Sequence, residues 1–61
     1  MDKKIEKALK LFNEKEWGKA IDAFSRILEK VTDNPELYNN LALAYSYIGE
    51  MEQAEKFFLK A

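Results

Sequence analysis

The side chains able to do chemistry in this sequence are carboxylates, lysines, one arginine, three aliphatic hydroxyls and aromatics, and it contains neither cysteine nor histidine. Without a thiol there is no disulfide, no thiolate nucleophile and no sulfur ligand, and without imidazole the commonest general base and metal ligand is missing. An acid/base pair would have to be carboxylate or lysine, and no stretch of the chain suggests a pocket that would tune either. Glu50, Glu52 and Glu55 cluster where a helix should begin, and there they favour the helix dipole. A carboxylate-only metal site needs several converging groups, which no spacing here demands. Trp17 opens a helix and reads as packing. No catalytic residue, cofactor site or metal site is expected, so the chain reads as a recognition module and not as an enzyme.

The elements that would position such a surface follow from periodicity. Ile5, Ala8, Leu9, Leu11 and Phe12 recur at helical spacing over residues 3–14 with lysines and glutamates between them. The polar stretch Asn13-Glu14-Lys15-Glu16 makes a short connection. A second, longer helix is expected from Trp17 through about Val31, carrying Ala20, Ile21, Phe24, Ile27 and Leu28 inward. Thr32-Asp33-Asn34-Pro35 interrupts and restarts the pattern, because Asn34 can cap a helix whose first position is Pro35, where a missing amide hydrogen costs nothing. The third helix runs to Gly49, a residue suited to the left-handed end of a helix. A fourth starts near Met51 and continues to Ala61. Nothing reads as strand or linker.

The halves match at a spacing of 34 residues: Ala8/Ala42, Leu9/Leu43, Glu16/Glu50, Ala20/Ala54 and Phe24/Phe58 are identities. Kindred pairs are Asp2/Glu36, Leu11/Tyr45 and Trp17/Met51. Such a period marks a repeat architecture, in which stacked copies build a binding surface. Two units follow, residues 1–34 and 35–61, in one small domain whose core must be fully used at this size.

Tyr38-x2-Leu41-Ala42-x2-Tyr45, then Gly49, then Ala54-x3-Phe58-x2-Ala61, resembles the tetratricopeptide repeat pattern. The first copy fits through Ala8, Leu11, Trp17, Ala20, Phe24 and Ile27, while Lys4, Lys7 and Lys15 replace the bulky residue, the leucine and the turn glycine. Thr32 stands where that family usually has proline. The resemblance implies an all-α fold of two antiparallel helix pairs stacked in a right-handed superhelix, whose first helices line a concave groove for peptides or helices of other proteins. It places Asp2, Leu9, Asn13, Glu16, Glu36, Leu43, Tyr47 and Glu50 toward that groove, with Asn40 at its margin. Some similar proteins clamp a terminal carboxylate there, but of the matching positions Ile5, Leu9 and Asn40 only Asn40 agrees, so a ligand with apolar side chains is expected. Leu9, Leu43 and Tyr47 form the apolar centre, with Asn13 and Asn40 beside it; the alternative is that Leu9 and Leu43 only pack against the adjacent helix, since a stack of two repeats barely curves. Tyr47 is the favoured contact residue, since its ring can bury area while its hydroxyl stays wet.

Comparing the copies indicates which faces are covered. Lys3, Lys7, Lys10 and Glu14 correspond to Leu37, Leu41, Ala44 and Ile48, so the first copy presents a solvated end and the second buries this face against it. Ile5, Phe12 and Ile21 correspond to Asn39, Ser46 and Glu55, which leaves the outer face of the second copy more polar. The lysine stripe is then an end cap, and phosphate binding would need a larger basic surface. Phe57, Phe58 and Leu59 are consecutive and cannot all point into one helix pair. Phe57 and Leu59 are candidates for self-association, with fraying of a short, uncapped last helix as the other outcome.

Net charge is −1, with eight basic and six acidic residues in positions 1–30 against two and five in 31–61. That dipole is too weak to imply nucleic acid. No apolar run approaches the roughly 20 residues of a bilayer span, and Met1 leads into Asp-Lys-Lys instead of an apolar signal region. A cytoplasmic protein is expected, with a protein or peptide partner, a possible homo-oligomer, and neither nucleic acid nor membrane. The alternative is a structural unit that assembles through its fourth helix.

Overall fold

The computed structural model describes residues 3–61; Asp2, assigned above to the groove, lies outside them. The described residues form four helices and no strand: α1 (Lys3–Asn13), α2 (Trp17–Leu28), α3 (Pro35–Tyr47) and α4 (Met51–Lys60). Three-residue turns join α1 to α2 and α3 to α4, so the members of each pair run antiparallel. α2 packs on both α1 and α3, whereas α4 packs on α3. That order explains why α3 buries residues on more than one side, with Leu37, Leu41, Ala42 and Ala44 all inside: it has α2 along one flank and α4 along another.

The turns carry the internal repeat at atomic detail. Glu16 N–H donates to Leu11 O at 2.9 Å and Lys15 N–H to Phe12 O at 3.0 Å; 34 residues on, Glu50 N–H donates to Tyr45 O at 2.9 Å and Gly49 N–H to Ser46 O at 3.1 Å. Each pair of bonds is a Schellman motif, satisfying carbonyls that the helix end leaves free. The motif needs a left-handed residue, supplied by Gly49 at φ 84° and by Lys15 at φ 63°. A side chain in that region costs about 1–2 kcal/mol, offset in part by the extra freedom glycine has when unfolded. Lys15→Gly should therefore raise stability by up to about 1 kcal/mol, or a few degrees in Tm, while Gly49→Ala should lower it by about 1 kcal/mol. Thermal melts of both variants check this. No atom lies within 4 Å of a Cβ built on Gly49, so the loss would come from backbone strain and not from a clash.

At the start of α3 the side-chain oxygen of Asn34 accepts hydrogen bonds from Glu36 N–H at 3.1 Å and Leu37 N–H at 3.4 Å, with Pro35 in the first helical turn. This is the cap the sequence implies. α2 ends three residues before the expected Val31. Lys30 N–H and Val31 N–H both donate to Ile27 O, so the chain tightens into a turn that leaves Val31 packed on the core while the backbone heads for Asn34.

Each helix buries an alanine at the repeated position fully or nearly so, Ala8, Ala20 and Ala42 at 0% exposure and Ala54 at 2%, and α3 adds Ala44 at 0%. Small residues at these positions let neighbouring helices approach, and Phe24, Leu37 and Leu41, all within 2% of full burial, fill the space between α2 and α3. Two expectations are corrected. Ile48 does not share the burial of Leu37, Leu41 and Ala44 but is 46% exposed, because it is the C-cap with φ −96° and ψ 7° and has left the helical progression. Phe58 does not repeat the burial of Phe24. It is 42% exposed where Phe24 is fully buried, since α2 lies between two helices while α4 has its neighbour on one side.

Candidate functional site

The proposed groove residues come from α1 (Leu9, Asn13) and α3 (Asn40, Leu43, Tyr47). Leu9 is half-buried and packs on the core, which anchors it; Leu43 and Asn40 are half-buried, and Asn13 is exposed. Tyr47 is the outlier at 60% exposure. Its ring nevertheless has a fixed seat, lying flat on the indole of Trp17 with centroids 4.3 Å apart and planes 14° from parallel. The edge of Phe12 meets Tyr47 at 6.2 Å and Trp17 at 5.1 Å. Phe12 in turn meets the fully buried Phe24 edge-on at 6.3 Å, so a chain of rings connects the core to an exposed tyrosine. Edge-on and offset stacked rings each contribute about 0.5–1.5 kcal/mol beyond the area they bury.

Local structure explains this assembly. The Schellman turn after α1 reverses the chain within three residues and sets Trp17, the first residue of α2, beside Phe12 near the end of α1. Tyr47 is the last helical residue of α3, so three element ends meet. Of the proposed set, the ring contacts involve Tyr47 alone, and its partners Trp17 and Phe12 were outside the set. The repeat alignment could not reveal them, because it pairs Trp17 with Met51 and Tyr47 with Asn13, whereas the stack joins unlike positions across the two copies. A signal was present all the same: a polar asparagine in one copy becomes a large aromatic in the other.

No family model, curated protein or solved structure matches this chain. Its chemistry must be read from its own surface. Among the described residues there is no group of three or more histidine, cysteine, aspartate or glutamate side chains that could hold a metal ion, and no helix is long and apolar enough to cross a membrane.

The self-association candidates separate. Leu59 is 81% exposed. Phe57 is half-buried, with its ring stacked on Tyr45 (5.6 Å, 4° between planes) and on Tyr38 (6.3 Å, 18°). It is thus a packing residue, and Phe58 takes its place at the surface. Along α4 each residue rotates the side chain by about 100°; Phe57 lies on the side of Tyr38 and Tyr45, Phe58 is about 100° further round and partly exposed, and Leu59, about 200° from Phe57, points away. Met51, Ala54, Glu55, Phe58 and Leu59 line a shallow depression of about 310 Å³.

Proposed function

We propose that this chain is a protein-interaction module, built from two helix pairs of tetratricopeptide type, that binds a peptide or amphipathic helix across Tyr47, Leu43 and Leu9. The observation that carries this reading is the Tyr47 ring, mostly exposed yet held on Trp17. A rigid aromatic presents a large apolar face without the entropic cost of ordering it on binding, and tyrosine and tryptophan are among the residues that most often dominate interface energies. Leu43, one turn before Tyr47 on α3, is half-buried and Leu9 packs on the core; in this reading they supply further apolar contacts, and Asn13 and Asn40 polar ones. Apolar anchors with a polar margin suit the spaced leucines of an amphipathic helix.

Trp17 is the sole tryptophan, so the site contains its own reporter. Titrating the protein with a synthetic amphipathic helical peptide, leucines at i, i+3, i+4 and i+7, should change Trp17 emission saturably. Tyr47→Ala should weaken binding about thirtyfold, the roughly 2 kcal/mol expected of an anchor residue. Unchanged affinity in Tyr47→Ala would remove the tyrosine from the site.

A second reading is favoured by a different observation. The large hydrophobics found exposed, Tyr47, Ile48, Met51, Phe58 and Leu59, all lie in the last fifteen residues, and three of them line one side of α4. A unit that assembles through α4 would cover Met51, Phe58 and Leu59 in a second copy. Such a unit should melt at a temperature that rises with protein concentration, whereas a monomeric groove binder should not.

A further inference from the structure

The two helix pairs differ most in the furrow between their helices. In the second pair it is filled: the Phe57 ring from α4 lies between Tyr38 and Tyr45 of α3, and the Lys60 ammonium sits 5.5 Å from the Phe57 ring centre and 6.0 Å from that of Tyr38. Counting back 34 residues, the first pair has Ala23 for Phe57, Lys4 for Tyr38, Leu11 for Tyr45 and Arg26 for Lys60. Three rings are gone, and the cation position is kept. The result is an open furrow of about 920 Å³ between α1 and α2. Leu11, Ala23, Ile27 and Val31 supply its apolar lining, and five cations, Lys4, Lys7, Lys19, Arg26 and Lys30, border it against two anions, Asp22 and Glu29.

We propose that this furrow is a second binding site, independent of the Tyr47 surface, which takes an aromatic side chain from an acidic peptide of another protein. The aromatic ring seats over Ala23, where the second pair has its own Phe57 ring. Arg26, held by Asp22 at 3.2 Å on the exposed side of α2, stands at the position from which Lys60 covers Phe57, so its guanidinium can lie over the incoming ring, a contact that strengthens as water leaves. Acidic residues flanking the ring meet a border of five cations against two anions, with Lys19 also 3.9 Å from Glu16; the net positive charge disfavours a basic segment and speeds encounter with an acidic one. The class of ligand is therefore set by two features together: an apolar floor at Ala23, where the second pair seats its Phe57 ring, and a cationic border.

The test is fluorescence anisotropy with a fluorescein-labelled peptide that has acidic residues on both sides of one phenylalanine. Saturable binding is expected, weakened about tenfold or more by Ala23→Phe, which fills the slot from within, and by the paired surface changes Lys7→Glu and Lys30→Glu, which reverse charge at exposed positions and leave the core intact. Tyr47→Ala should leave this binding unchanged, which separates the site from the groove. Binding should weaken with added salt. Equal affinity for the peptide with alanine in place of phenylalanine, indifference to both the Ala23 and the lysine substitutions, or displacement of the peptide by a single-stranded oligonucleotide would each overturn the proposal.

Discussion

Phe24→Ala should remove most of the protein's stability, while Phe58→Ala, the same change in the second copy, should leave most of it in place. Phe24 is fully buried between α1 and α3, touching the Phe12 ring edge-on. Removing a buried phenylalanine costs about 3–5 kcal/mol, through lost transfer energy and the cavity left behind. A domain of this size has about 3–9 kcal/mol in total, so the change consumes most of it. Phe58 is 42% exposed, so it has less buried area to lose and solvent can close over the gap; about 1–2 kcal/mol is expected. Urea unfolding of the two variants measures both numbers. Equal losses would mean that α4 is covered as α2 is, and would favour assembly through its outer side.

Leu41→Lys should be at least as damaging, and its mirror, Lys7→Leu, nearly silent. The two positions are 34 residues apart and occupy corresponding turns of α3 and α1. Leu41 is 1% exposed in the seam with α2. A lysine there buries an ammonium with no carboxylate to meet it, because among the described residues no charged or polar side chain is buried. Losses of about 4 kcal/mol or more follow from stranding a charge of this kind. Lys7 is exposed on α1, and exchanging it for leucine should shift stability by no more than about 0.5 kcal/mol. Circular dichroism melts of the pair compare the same swap on a covered and an uncovered face. A tolerated Leu41→Lys would contradict the placement of α3 against α2.

These swaps also show what was legible in the residues and what was not. The four helices, both turns and the Asn34 cap could be read directly, because each depends on local chemistry: period, a polar break or a glycine, an acceptor before a proline; the end of α2, three residues before Val31, could not. The alanines at 8, 20, 42 and 54 and the burial of Leu37 and Leu41 followed from laying one copy on the other. What failed to transfer was burial that depends on neighbours. Phe58 has the sequence environment of Phe24 but a helix on only one side. The stack of Tyr47 on Trp17 was invisible for a related reason, since it joins non-equivalent positions of the two copies and depends on how the second pair sits on the first. The open furrow beside Ala23 likewise shows only against its filled counterpart at Phe57, a comparison of side-chain volumes that hydrophobic periodicity does not register. Lys15 sits in the left-handed conformation that Gly49 adopts without penalty, which shows that turn geometry can outweigh a residue's preference when two main-chain hydrogen bonds depend on it.

The central claim is that Tyr47 and the leucines behind it form a recognition surface, and selection from a random peptide library against the immobilised chain tests it most directly. The account predicts enrichment of peptides with apolar residues at helical spacing, lost when the same selection is run against a Tyr47→Ala, Leu43→Ala double variant that remains folded. Enrichment of the same peptides by the double variant, or no enrichment by the unaltered chain, would contradict it.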